Sequence, residues 1–152
     1  MIDDENELNA LYQSLVFEHS KKPRNFGKIE CSCHTKGKNP SCGDEIDLYV
    51  KPNASQSIIE DIKFTGEGCA LCIASTSLMT QIIKGKEIDK SILIVNDFIK
   101  FIIEDDLLEE DYEPLHIFNG VKNFPLRVKC VLLGWRALEK SINKIKEGSY
   151  GN

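Results

Sequence analysis

The sequence predicts an α+β fold, a small antiparallel sheet packed by helices, and three observations carry that expectation. Two alternating apolar/polar stretches, Ile46 to Lys51 and Ile58 to Thr65, flank the turn residues Pro52-Asn53, as two paired antiparallel strands would. A closing segment from Pro125 carries Val128, Val131, Leu132, Trp135, Leu138, Ile142 and Ile145 on one helical stripe. The order of elements is a helix, two or three strands, then helices, which gathers helices on one face of a sheet instead of alternating them with parallel strands. With 152 residues the chain fits one domain, residues 1–152, with enough apolar content for a core without disulfides.

The first helix follows from Leu8, Leu11, Tyr12, Leu15 and Val16 at helical spacing, with Asp4 as N-cap and Glu7 as its capping-box partner, and it ends before Pro23. Lys22 to Asn39 is polar and broken by Pro23, Gly27 and Gly37, which predicts a loop with room for a short strand. Asn39-Pro40-Ser41-Cys42-Gly43-Asp44 predicts a tight, exposed turn before the first clear strand. The strand ending at Thr65 meets Gly66 and Gly68, and small and apolar residues from Cys69 to Lys84, ahead of Gly85, predict a helix. Ile88, Ile92, Val95, Ile99 and Ile102 predict another between Lys86 and Glu104. The acidic run Glu104 to Glu113 predicts a solvated face pinned by Leu107 and Leu108. Pro125 at the first helical position opens the last helix, which frays at Gly148.

Composition narrows the chemistry. Hydrophobic content of 41% and charged content of 28% are globular values, and no apolar run has the length of a membrane span. A formal net charge of -5 argues against a nucleic-acid partner. The acidic start, Met1-Ile2-Asp3-Asp4-Glu5, has neither the basic nor the apolar region of a targeting signal, so a cytoplasmic location is expected. In a reducing compartment six cysteines point to metal binding or thiol chemistry rather than disulfides.

Three thiols fall at turns or helix starts. Cys69 is expected at a helix N-terminus, where unpaired N–H groups and the macrodipole favour a thiolate. Glycines at 66 and 68 are expected to leave that thiolate uncovered. Cys42 and Asp44, both metal-ligand types, share a turn. Arg127 and Cys130 share one face of the last helix, a cation beside a thiol. Cys69-Ala70-Leu71-Cys72 has the spacing of a redox dithiol or half a zinc site; no second such pair follows, and Cys72 points along a core-like helix, so it is expected to be buried. Cys31 and Cys33 are expected to be solvent-facing or accessory, and His19, His34 and His116 to be surface polar residues.

Asn39 to Asp44, Gly66-Glu67-Gly68-Cys69-Ala70 with Ile73-Ala74-Ser75, and Arg127-Val128-Lys129-Cys130 with Leu133-Gly134-Trp135 together resemble the iron–sulfur cluster assembly proteins of the IscU, NifU N-terminal and SufU type. His19 through Gly27 and Lys84-Gly85-Lys86 are similar to the family as well. Lys129 stands where IscU-type scaffolds carry a histidine, and the insert from about Asp105 to Asn119 is SufU-like. The SufU resemblance implies an IscU/SufU-like fold and a zinc ion held by Cys42, Asp44, Cys69 and Cys130. It also implies that sulfur is accepted from a SufS-type cysteine desulfurase and passed to a downstream cluster-assembly scaffold. Cys42, on the most flexible turn, is expected to be the sulfur acceptor, with Arg127 supporting it by pairing with Asp44 or the freed ligand. Two alternatives stand beside this expectation: a scaffold that assembles a transient [2Fe–2S] cluster or holds iron on the same residues, and a zinc-stabilised interaction module with no sulfur transfer.

Overall fold

The computed structural model describes residues 3–148, without the side chains of residues 3–9, 11, 110 and 111. The elements run α1 (Asp3–Lys21), β1 (Cys33–Asn39), β2 (Asp44–Pro52), β3 (Ile59–Glu67), α2 (Ala70–Ile83), α3 (Ile88–Ile103), a kinked 3₁₀ segment (Glu110–Asn123) and α4 (Pro125–Glu147). The expected cap at Asp4 and Glu7 lies outside the described side chains. The three strands form one antiparallel sheet in the order β1-β2-β3, so the predicted α+β architecture is the one observed.

Alternation explains the sheet. Ile46, Leu48 and Val50 of β2 and Ile59, Ile62 and Phe64 of β3 are fully buried, and Leu48 stands opposite Phe64 in register. Helices α2 and α4 cover that face. Helix α2 is small and buried from Cys72 to Thr80, and its hydroxyls are used as pegs: Trp135 Nε1 donates to Ser75 Oγ at 3.0 Å, and Ser75 Oγ donates to the Val131 carbonyl at 2.7 Å. The helices approach closely at Gly134, where a Cβ would stand 2.4 Å from Thr76 Oγ1.

Strand β1, seven residues long, takes the room for a short strand that the predicted loop left open. Its inward residues, Cys33, Thr35, Gly37 and Asn39, are small or polar, and its outward ones, His34, Lys36 and Lys38, are charged or titratable, so a period of two is present without an apolar signal. Small residues face inward because α4 lies against them; a Cβ on Gly37 would stand 3.2 Å from Leu133 Cδ1. Cys33 is therefore fully buried, with its thiol 3.7 Å from the Ser141 carbonyl, and not solvent-facing as expected. Cys31 is exposed. Leu108 pins the acidic run, but Leu107 is 98% exposed and pins nothing.

His19 is also misjudged by the sequence. Only 3% exposed, its Nδ1 shares a hydrogen bond with Ser77 Oγ at 2.7 Å, while Ser77 Oγ accepts from the Arg24 N–H at 2.8 Å, locking the end of α1 onto α2. Burial, and then the Arg24 charge, hold the imidazole below its ordinary value. The unfolded chain thus binds that proton more readily. The stabilisation is complete above about pH 6.5 and is lost as pH falls toward the lower folded value. The melting temperature should decline as the buffer is taken from about pH 7 to about pH 5, and His19→Asn, which keeps a hydrogen-bonding group near the Nδ1 position without titrating, should decline less over that window.

Candidate metal centre

The centre is built where three elements end. The β1–β2 hairpin turns over residues 40–43, with the Cys42 N–H donating to the Asn39 carbonyl at 3.2 Å and Gly43 taking a left-handed φ of 72°. Asn39 and Asp44 pair across the base of this hairpin. The alternation of β2 then points Asp44 inward, where it is only 2% exposed. Beside it β3 gives way to α2, whose N-cap is Cys69 in an extended conformation with no side-chain cap. The Cys69 N–H donates instead to Asp44 Oδ1 at 2.9 Å, so a carboxylate from another element occupies the positive end of the helix. In the second turn of α4, Cys130 is fully buried.

The ligand atoms of Cys42, Asp44 and Cys130 all lie within 4.8 Å of one another. The Cys69 thiol neighbours Cys130 but falls outside that group. Arg127 is exposed and makes no ion pair among the described residues, so the expected pairing with Asp44 is not formed. Lys129 is exposed, on a different face of α4 from Cys130. The histidines are elsewhere: His34 stacks on Tyr49 and bonds Asp47, and His116 bonds the Leu108 carbonyl. Cys72 is fully buried, as predicted.

Asn39 is a neighbour the sequence argument missed. Its side-chain N–H₂ reaches Asp44 Oδ2 at 3.4 Å and the Cys130 sulfur at 3.6 Å, bridging the hairpin to α4. The available signal was its place opposite Asp44 in a hairpin, which required recognising β1. Gly68 also has a task that the sequence argument did not foresee. A Cβ there would stand 2.5 Å from Asp44 Oδ1, so the glycine makes room for the carboxylate.

The electrostatics show what the arrangement needs. Burial pushes the Cys130 thiol well above its usual range, and Asp44, Cys42 and Cys69 push it further; Cys72 is raised by burial first, then by the same three acidic neighbours. Thiols and a carboxylate crowded together repel as anions unless a cation joins them. Thiolate sulfur and carboxylate oxygen are zinc donors, and in a tetrahedral site with bonds of about 2.0–2.3 Å they stand roughly 3.3–3.8 Å apart. The observed group fits such an ion with side-chain adjustment of about an ångström. Above the centre, Phe124 and Leu126 are 60% and 57% exposed, and the Leu126 carbonyl faces the thiols of Cys130 at 3.4 Å and Cys42 at 4.0 Å.

Comparison with known proteins gives a family and several relatives. The model of the NifU-like N terminal domain matches residues 11–149. The chain is 40% identical to the zinc-dependent sulfurtransferase SufU of Bacillus subtilis, over 93% of this chain and 96% of that one. It is 34% identical to the iron-sulfur cluster assembly scaffold protein IscU of Streptococcus pyogenes serotype M1, over 91% and 87%. A crystal structure of a putative iron-sulfur cluster assembly scaffold protein for the SUF system from Fervidobacterium islandicum superposes with a TM-score of 0.77 at 36% identity, covering 84% of this chain and 93% of that one.

Proposed function

Since the chain belongs to the NifU-like N-terminal domain family of iron–sulfur cluster assembly proteins, we propose that it is a zinc-dependent carrier that takes persulfide sulfur from a SufS-type cysteine desulfurase and delivers it to a cluster-assembly scaffold. The observation that carries this is the donor set Cys42, Asp44 and Cys130, drawn together beside Cys69 with Lys129 and no histidine next to the third cysteine. Cys42, Asp44, Cys69 and Cys130 are the four ligands, Cys69 closing on the group by a side-chain turn. Bound zinc would keep the thiols deprotonated and act as a Lewis acid.

Cys42 is the acceptor because it is half-exposed and sits on a turn, whereas Cys130 is fully buried and Cys69, equally half-exposed, is fixed at the start of α2. Its thiolate attacks the terminal sulfur of the desulfurase persulfide. The bond between that sulfur and the desulfurase cysteine breaks, the cysteine leaves as a thiolate, and Cys42 carries the persulfide with its proton, without net oxidation. Asp44 stays in place, anchored by the Cys69 N–H and Asn39. Arg127, exposed on the first turn of α4, supplies positive charge to the approaching anionic sulfur.

Incubation with a SufS-type desulfurase and cysteine, followed by intact-mass measurement, should add one sulfur atom to the chain and none to Cys42→Ala. Sulfur appearing on Cys72 or Cys31 would displace Cys42 as the acceptor. The likeness to scaffolds named IscU supports a second reading, assembly of a [2Fe–2S] cluster on the same residues.

A further inference from the structure

A cleft of about 410 Å³ lies between β1 and α4, walled by Lys36, Lys38, Lys129, Arg136 and Lys140 over an apolar floor that includes Leu133 and Ile103, the latter 53% exposed. On a chain of net charge -5 this is a concentration of positive charge. Lys36 and Arg136 have carboxylate partners, whereas Lys38, Lys129 and Lys140 make no ion pair among the described residues. Cationic walls over an apolar floor fit an acidic segment that projects an aliphatic side chain.

The chain displays such a segment. In Glu104-Asp105-Asp106-Leu107, the leucine is 98% exposed, and Glu104, Asp106 and the following Glu109 are exposed and form no ion pair among the described residues. The segment is held outward: Leu108 is buried, its carbonyl accepts from His116 Nε2 at 3.0 Å, and Asp105 pairs with Lys122. None of residues 104–108 lines the chain's own cleft. We propose that the cleft takes the Glu104–Glu109 run of a second copy of this chain, with Leu107 on the apolar floor and the carboxylates against the lysines, and that the two copies do this reciprocally in a twofold dimer.

Position favours closure of that pair. Ile103 lines the cleft and Leu107 follows four residues later, at most about 14 Å along an extended chain. Cleft and run therefore lie within that distance of each other, which suits a reciprocal exchange about a single twofold axis, and such a closed pair leaves no open filament. An interface made of two short segments is small, which makes the dimer weak, and its charge pairs lie at the surface, which makes it salt-sensitive.

Sedimentation velocity on the purified chain, at rising concentration in low salt, should show a monomer–dimer equilibrium that is lost at about 0.5 M salt, where screening shortens to a few ångströms. Lys38→Glu with Lys140→Glu, or Glu104→Lys with Asp106→Lys, should each weaken the dimer at least about tenfold, because each turns attraction into repulsion. Mixing these two double variants should restore a heterodimer, since each reversed cleft then faces a reversed run and each native cleft a native run. Leu107→Ala should weaken it without altering salt dependence. All five positions are exposed, and circular dichroism checks that each variant is folded. A monomer at every concentration, a dimer indifferent to the reversals, or a mixture that fails to pair would each overturn the proposal.

Discussion

Cys69→Ser should strip the protein of its zinc and lower its melting temperature by about 10 °C, while Cys72→Ala leaves the zinc in place. The two thiols are three residues apart in sequence, yet one caps α2 beside Cys130 and the other is sealed in the core. A ligand bound only by the native state adds RT ln(1 + [L]/Kd), about 4 kcal/mol at a thousandfold excess over Kd. At about 2–4 °C per kcal/mol for a domain of this size, losing it gives the stated drop. Cys72→Ala removes one buried sulfur and costs about 1 kcal/mol of packing. Metal content by mass spectrometry and melting by calorimetry read both variants. Equal loss of zinc in the two would mean that Cys72, not only Cys69, is a ligand.

The second large effect is expected at a residue with no side chain. In Gly68→Ala the new Cβ would sit 2.5 Å from Asp44 Oδ1 and 3.1 Å from its Cγ, so the carboxylate must swing away and release the Cys69 N–H. The φ of Gly68 is outside the left-handed region, so alanine is conformationally admissible and the effect comes from the contact alone. Groups that orient metal ligands typically change affinity by about 10–100-fold when removed, and a competition titration with a chelator should show a loss of that size. Gly120→Ala is the control, since a Cβ there meets nothing within 4 Å. Unchanged affinity in Gly68→Ala would mean that Asp44 does not hold the metal.

What could be read from the sequence followed from how strongly each segment was patterned. Strands β2 and β3 and helices α2, α3 and α4 announced themselves through apolar periodicity, and the candidate ligands Cys42, Asp44, Cys69 and Cys130 through their places at turns and helix starts. Strand β1 did not, because α4 lies so close that only Cys33, Thr35, Gly37 and Asn39 fit inward, which removed the apolar half of the alternation. With β1 went the burial of Cys33 and the bridging role of Asn39. His19 was hidden for a different reason: its burial depends on Ser77, 58 residues away, and a serine in a helix gives no hint of whose hydrogen bond it will complete. The raised Cys130 thiol was likewise invisible, since Arg127 argued for lowering it and only three-dimensional burial decides the sign.

The assignment of a zinc-dependent carrier rests on which metal the four-ligand set keeps when iron and sulfide are offered. Lys129, exposed and cationic, cannot take the place of a neutral imidazole, and three thiolates with one carboxylate form a set better suited to zinc than to a cluster. The decisive measurement is anaerobic reconstitution of the zinc-loaded protein with ferrous iron, cysteine and a desulfurase, followed by metal analysis and visible absorption. The expected result is about one zinc retained per chain, the single tetrahedral site these residues can form, with persulfide on Cys42 and no cluster chromophore. Displacement of zinc with a stable [2Fe–2S] spectrum at full occupancy would contradict the carrier assignment and make the protein a scaffold.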